Sequence, residues 1–264
     1  MALSDTEAVL FDMGGTLVDY PMPSWPVMAG RCIEGVYGHI VRPERELPPP
    51  AAAVPGPQEA RALRTAPAPH AAVPHRIVLA LRRVVRSLSG RTLPRMAEAC
   101  ARPLVAGARL YDDALPTLRA IKGRGYRLGL VSNTPWGTPE YLWENQVQRF
   151  SLEPYFEVRL FSSVFGLRKP DARIFQAALD GLGVAAARAV FIGDNPQADI
   201  LGAAGVGMRT VLIERPGSAW AKPGRAAHPT HGVAARREAS AKPDIRIKSL
   251  AELLDHLPRR APLG

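Results

Sequence analysis

Short, wholly apolar runs alternate along this chain with runs in which apolar residues return at helical spacing. Residues 7–12 (Glu-Ala-Val-Leu-Phe-Asp) read as a buried strand ending at Asp12, with Gly14 and Gly15 forming the turn behind it. The alternation becomes regular from Asp112. There Leu115, Leu118 and Ile121 have helical spacing, and Gly123 and Gly125 close that helix. Residues 126–131 predict a strand that delivers Ser132. A helix is expected over 138–150 with Tyr141, Leu142, Val147 and Phe150 on its apolar side, then a strand near 156–161 and a loop carrying Lys169. Residues 171–182 predict a helix with Ile174, Phe175, Ala178 and Leu179 inward and Gly183 at its end. Residues 189–192 predict a strand that delivers Asp194, and 198–204 a short helix of small residues. The last two strands are expected at 209–213 and 245–247, with Ser249 capping a closing helix over 250–257.

Strands and helices in strict alternation imply an α/β fold with a parallel sheet. The carboxyl ends of such strands share one edge, and ligands bind there. Asp12, Ser132 and Asp194 should therefore converge although they are far apart in sequence. Two stretches break the alternation. Residues 42–75 are dense in Pro and Ala, with Pro48, Pro49 and Pro50 together, and such a run cannot hold a regular helix or sheet. It is flanked by helix-like segments at 26–41, 76–89 and 94–106. Residues 216–243 are polar and rich in Pro, Gly and Arg, as expected of a flexible excursion between two strands.

Composition narrows the function classes. A chain of 264 residues accommodates one large domain or a core with a smaller insertion. No run approaches a membrane span in length, so no membrane partner is expected. No basic stretch followed by an apolar one opens the chain, so no secretory signal is expected either. The cysteines, Cys32 and Cys100, fit neither a disulfide framework nor a zinc site and read as two thiols of a cytoplasmic protein. The formal charge of +10 invites a nucleic-acid reading. Its distribution argues against one. Lysine occurs only at 122, 169, 222, 242 and 248, every other basic residue is arginine, and no aromatic residues interleave with them as a single-strand platform requires. A mildly positive field suits small anionic substrates.

Four fragments carry the chemistry: Phe-Asp12-Met-Gly-Gly-Thr16, Val-Ser132-Asn133-Thr134, Arg168-Lys169-Pro170-Asp171 and Ile-Gly193-Asp194-Asn195 with Asp199 beyond it. Carboxylates, a hydroxyl and a lysine meeting at one crevice are the parts needed to move a phosphoryl group with a divalent metal. This ordered set resembles the haloacid dehalogenase-like (HAD) hydrolases, a superfamily dominated by magnesium-dependent phosphatases that work through an aspartyl-phosphate. The resemblance covers residues 6–20 and 108–257. It implies a Rossmann-like doubly wound core, residues 1–20 and 108–264, with a small α-helical cap inserted after the first strand over 21–107. The Pro/Ala-rich stretch 42–75 would be a mobile loop within that cap.

The resemblance also implies roles. Asp12 is the nucleophile, a weak one that attacks phosphorus once metal and fixed donors neutralise the phosphate. Mg2+ is expected on Asp12, the Gly14 backbone carbonyl and Asp194, with the remaining positions taken by water and substrate phosphate. Ser132 and the Asn133 backbone bind the transferring phosphoryl oxygens, and Thr16 joins them chiefly by shaping the turn. Lys169 places a compact ammonium on the phosphate and the nucleophile, a task for which the bulkier, planar arginine is ill suited. Asp199 supports the site from behind. Gly14 departs from the family pattern, in which a second Asp two residues after the nucleophile protonates the leaving oxygen. Three consequences are open: substrates with good leaving groups, a substitute such as Asp19 or a cap residue, or a weak or lapsed catalyst.

Asp194 argues against the metal-free 2-haloacid dehalogenases, which lack a Gly-Asp pair there and carry an aromatic residue at the position of Gly14. Phosphonoacetaldehyde-type hydrolases need a Schiff-base lysine in the cap, and no lysine precedes Lys122. The expected function is thus hydrolysis of a small phosphorylated metabolite. The alternative from another class is a catalytically lapsed HAD-fold binding protein. Neither the substrate nor the oligomeric state can be read from these residues.

Overall fold

The computed structural model describes residues 3–20, 34, 92–134, 138–215 and 242–260. In chain order its elements are β1 (Ala8–Phe11), β2 (Val18–Asp19), α1 (Thr92–Ala106), β3 (Arg109–Leu110), α2 (Ala114–Gly123), β4 (Arg127–Ser132), α3 (Glu140–Arg149) and β5 (Val158–Phe161). There follow α4 (Ser162–Phe165), α5 (Ala172–Leu182), β6 (Ala189–Gly193), α6 (Gly202–Gly205), β7 (Arg209–Ile213), β8 (Ile245–Ile247) and α7 (Leu253–His256). Six strands pair in the order β5-β4-β1-β6-β7-β8, every pair parallel. The chain starts in β1, builds outward through β4 and β5, then returns to build the other half. β1 is therefore flanked on both sides, and the crevice at the carboxyl end of such a reversal point is where α/β sheets bind ligands.

The apolar runs have their cause in this arrangement. Val9 and Phe11 of β1, with Val190 and Ile192 of β6, face a cluster that includes Leu118, Ile121, Leu250 and Leu253. Ala8 and Leu10, with Ala189 and Phe191, face Ile174, Phe175, Ala178, Leu179 and Leu182 of α5 on the other side. Strands covered on both faces have no polar side to show, so alternation vanishes from their sequence. Each fully buried Leu, Ile or Phe contributes roughly 1.5–3 kcal/mol. Helix α5 starts where the Asp171 carboxylate accepts from the Arg173 amide at 3.0 Å and stops at Gly183, whose φ of +60° ends the helix. The closing segment opens in a capping box of Ser249 and Glu252.

Three features differ from the sequence reading. In α3 the buried residues are Leu142, Trp143, Gln146 and Val147, whereas Tyr141 is 51% exposed and donates to Glu98. Trp143 takes the inward place because its indole reaches the Thr138 hydroxyl at 2.9 Å, closing the first turn. After β6 the chain makes wide π-type turns over Pro196–Leu201, with only the single turn α6 following, in place of a helix from 198. The widening falls at Asp199, whose carboxylate is drawn back to accept from the Asn195 amide at 3.0 Å. Finally, β2 and β3 form an antiparallel ribbon, Val18 opposite Leu110 and Asp19 opposite Arg109.

The expected segments at 26–41, 42–75, 76–89 and 216–243 lie outside the described residues, save for Glu34 and residues 242 and 243. The segment expected at 94–106 is α1, whose Ala101 and Val105 join the core and whose terminal Val105 carbonyl accepts from Arg149 at 2.8 Å. Among the described residues no helix is long and apolar enough to cross a membrane.

A buried clamp ties these pieces together. Arg215 donates to both carboxylate oxygens of Asp113 at 2.7 and 2.8 Å and to the Thr16 carbonyl at 2.8 Å, with its guanidinium 4.0 Å from the Tyr111 ring centre. Asp113 also accepts from the Ser249 hydroxyl at 3.0 Å and the Leu250 amide at 2.8 Å. Burial alone would raise the Asp113 carboxyl, but the Arg215 and Leu250 hydrogen bonds hold it below the ordinary value. A depressed folded-state pKa gives stability that is complete above the unfolded value of about 3.9 and disappears as the pH falls through the folded value. Urea unfolding of wild type and Asp113→Asn should therefore show a wild-type advantage that is constant above about pH 5 and closes below about pH 4. An advantage unchanged down to strongly acid pH would show that this ionisation does not stabilise the fold.

Candidate active site

β1, β4 and β6 end side by side, and each delivers one polar residue to the same edge. Phe11 stands opposite Leu130 on one side and Ile192 on the other, so Asp12 emerges beside Ser132 and Asp194. The Asp12 amide continues the ladder, donating to the Ile192 carbonyl at 2.9 Å. Two more side chains enter from loops. Lys169, from the segment before α5, donates to Asp12 Oδ1 and to the Val131 carbonyl, each at 2.7 Å, and lies 2.7 Å from Asp199 Oδ1. Its side chain is only 1% exposed, so the ammonium is committed to these partners. Asn133 fixes the backbone of this lysine from both sides: its Nδ2 donates to the Lys169 carbonyl and its Oδ1 accepts from the Lys169 amide, each at 2.9 Å.

The neighbouring glycines are a steric requirement. A Cβ on Gly15, which has φ +80°, would stand 2.2 Å from Asp194 Oδ2, and one on Gly193 would stand 2.3 Å from Asp199 Oδ2. Both carboxylates occupy space that any other residue would fill. Gly14 is different. A Cβ there would meet the ring of Tyr20, at 3.3 Å from Cδ2 and 3.5 Å from Cε2.

One carboxylate oxygen from each of Asp12, Asp194 and Asp199 lies within 4.8 Å of the others. Burial pushes the Asp12 carboxyl up to about 6, against the pull of Lys169, and the Asp199 charge adds to the rise. Asp194 is raised well above the ordinary value by burial and by the charges of Asp12 and Asp199. Burial would lower Lys169, yet Asp12 and Asp199 hold its ammonium above the ordinary lysine value. Three carboxylates against the one Lys169 ammonium leave a formal excess of two negative charges. The donor set of hard carboxylate oxygens with that excess fits a divalent cation of the Mg2+ type. Asp199 is already spent on Lys169 and the Asn195 amide, so the oxygens left to offer belong to Asp12 and Asp194.

The other expected site residues fall as follows. Ser132 is buried at the end of β4. Thr16 is wholly buried in the turn, where its carbonyl is held by Arg215 and its hydroxyl has no hydrogen-bond partner among the described residues. Gly14 pairs with Val18 across that turn. Asp19, one candidate substitute for the missing acid, is exposed on β2. Several contributors escaped the sequence reading. Ser162 and Ser163 brace the strand end by bonding the Thr134 backbone and hydroxyl at 2.9–3.2 Å. Tyr20 packs on Gly14, and Arg215 holds the Thr16 turn from a position 199 residues away. Only Tyr20, close behind the first motif, had a local signal: an aromatic residue following a turn of two glycines.

Comparison with known proteins agrees with this geometry. A family model described as haloacid dehalogenase-like hydrolase matches residues 6–207, and one described as HAD-hydrolase-like matches 166–253. The chain is 39% identical over 106 residues to a phosphoserine phosphatase of Thermus thermophilus, covering 40% of this chain and 41% of the relative. It is 35% identical over 105 residues to a glyceraldehyde 3-phosphate phosphatase of Methanothermobacter thermautotrophicus, covering 40% and 45%. It thus spans less than half the length of these curated relatives. Among solved structures it is similar to a HAD phosphatase from Thermococcus onnurineus (TM-score 0.58, 21% identity, 94% of this chain and 96% of that one). It is also similar to a 2-haloacid dehalogenase from Pseudomonas syringae pv. Tomato (TM-score 0.60, 23% identity, 95% and 97%). These two likenesses establish the fold.

The glycine contacts give a direct test. Gly15→Ala forces a left-handed backbone on a residue with a side chain, costing roughly 1–2 kcal/mol, and drives its methyl into Asp194. Thermal unfolding should fall accordingly, and a metal-titration signal, where the wild type gives one, should weaken. An unchanged melting temperature in Gly15→Ala would refute the close approach.

Proposed function

The chain belongs to the haloacid dehalogenase-like hydrolases, and from that footing we propose that it is a Mg2+-dependent phosphatase acting on a small phosphorylated metabolite through an aspartyl-phosphate on Asp12. The observation that carries the reading is Lys169 bridging Asp12 and Asp199 beside Asp194 at the carboxyl edge of the sheet. Lys169 occupies one oxygen of Asp12 and aims the other at an incoming phosphorus atom. Attack there expels the ester oxygen in line, and water then releases phosphate from Asp12. Ser132 and the Asn133 amide hold phosphoryl oxygens, while the Asn133 side chain is reserved for Lys169. Mg2+ would be held by Asp12, the Gly14 carbonyl and Asp194, and when bound it neutralises phosphate charge that would otherwise repel a carboxylate. Asp199 positions Lys169. Residues 21–107 serve as the cap that selects the substrate, with α1 as its last helix.

Gly14 favours a second reading, a catalytically weak member that binds its ligand and turns it over slowly. The phosphatase names of the relatives support the first reading over this one.

The deciding experiment is phosphate release from a panel of phosphorylated metabolites and an aryl phosphate, with and without Mg2+, in wild type and Asp12→Asn. Metal-dependent release that drops to background in Asp12→Asn is expected. Full activity in that variant would overturn the mechanism, and silence across the panel would favour the binding protein.

A further inference from the structure

We propose that Tyr20 is the catalytic hydrogen-bond donor that replaces the side chain absent at Gly14, its hydroxyl meeting the ester oxygen that departs as the P–O bond breaks. The proposal rests on the phosphatase reading and deepens it. The ring edge of Tyr20 abuts the place a side chain at position 14 would take, 3.3 and 3.5 Å from an ideal Cβ. That volume borders the nucleophile, since Gly14 lies two residues beyond Asp12 in the turn that follows β1. The Tyr20 oxygen is buried and has no hydrogen-bond partner among the described residues. Buried phenols rarely stay unpaired, and one beside a reaction centre is available to a ligand. The ring is held from the core side: it packs edge-to-face on Trp143 at 6.5 Å, and Trp143 is itself pinned to Thr138. Asp19, by contrast, is exposed.

The chemistry balances without a carboxylic acid. The electron pair of the broken P–O bond stays on the ester oxygen, where the Tyr20 O–H stabilises the growing charge while keeping its own proton. The departing alkoxide takes a proton from water, and the hydroxide left behind accounts for hydrolysis of the aspartyl-phosphate, so one water is consumed. Alkyl leaving groups, which develop the most charge, depend on the donor, whereas aryl leaving groups do not.

The test compares wild type, Asp12→Asn, Tyr20→Phe, Tyr20→Ala, Gly14→Asp and Gly14→Asp/Tyr20→Ala on p-nitrophenyl phosphate and on an alkyl phosphate such as glycerol phosphate. Tyr20→Phe keeps the ring and removes one oxygen. It should lower kcat on the alkyl ester about 10- to 100-fold with KM nearly constant, and change the aryl ester less than about twofold. Equal losses on both esters, no loss on either, or a change in KM alone would overturn the proposal. Gly14→Asp alone should bring no gain on the alkyl ester, because the new side chain and the ring compete for one place. With Tyr20→Ala it should outperform Tyr20→Ala carrying Gly14. A gain from Gly14→Asp that is the same in both backgrounds would also refute a shared place. Aryl hydrolysis lost in Asp12→Asn upholds the phosphatase reading independently of Tyr20. Wild-type inactivity on both esters would remove the reading and the proposal together, and aryl activity without alkyl activity would remove the proposal alone.

Discussion

The Lys169 ammonium is the constraint around which the core is arranged. It is nearly solvent-free and reaches three chain segments at once: Asp12 after β1, the Val131 carbonyl in β4, and Asp199 in the turns after β6. Burying such charges costs free energy that their mutual attraction only partly returns, so the arrangement is weak as a device for stability. Its effect is geometric. Rotation of Asp12 would take one of two carboxylates from a buried cation, and Asp199 is held to the same cation at 2.7 Å from within the wide turns. The wide turns over Pro196–Leu201, the bare glycine at 193 and the Asn133 brackets on the lysine backbone all accommodate that one ammonium and its Asp199 partner.

Much of this was legible in the residues because the sheet is covered on both faces. β1, β4 and β6 appear in the sequence as apolar runs broken at Asp12, Ser132 and Asp194, and the breaks mark the site. Lys169 stood out because the chain otherwise prefers arginine. The same arginine excess hid Arg215, which looks like any of its neighbours yet anchors the Thr16 turn through contacts made only in the folded chain. Strands of two residues, β2 and β3, are too short for a period to be seen. Tyr141 adjoins Leu142 in sequence but lies off the face that Val147 defines, and Trp143, four residues before Val147, takes the inward place with its indole donating to the Thr138 hydroxyl. The π-type turns were invisible for a related reason: local propensity favours a helix there, and the pull on Asp199 comes from far away in sequence.

Gly14 shows how one letter can be read two ways. Beside Gly15 it looks like part of a flexible turn, and against the family pattern it looks like a loss. In space it is where the Tyr20 ring is seated, so the two positions form one unit although only one departs from the pattern.

The antiparallel pairing of Val18–Asp19 with Arg109–Leu110 has a consequence for how much insertion this chain can carry. The outgoing and returning strands leave the core as neighbours, already hydrogen-bonded to each other. Whatever is spliced between them meets the core as a loop whose ends are closed before it begins, and lengthening such a loop adds little entropic cost. The residues between Tyr20 and Thr92 can therefore change in length and composition while Asp12 and Lys169 keep their register. The length of the insertion is thereby decoupled from the geometry of the site.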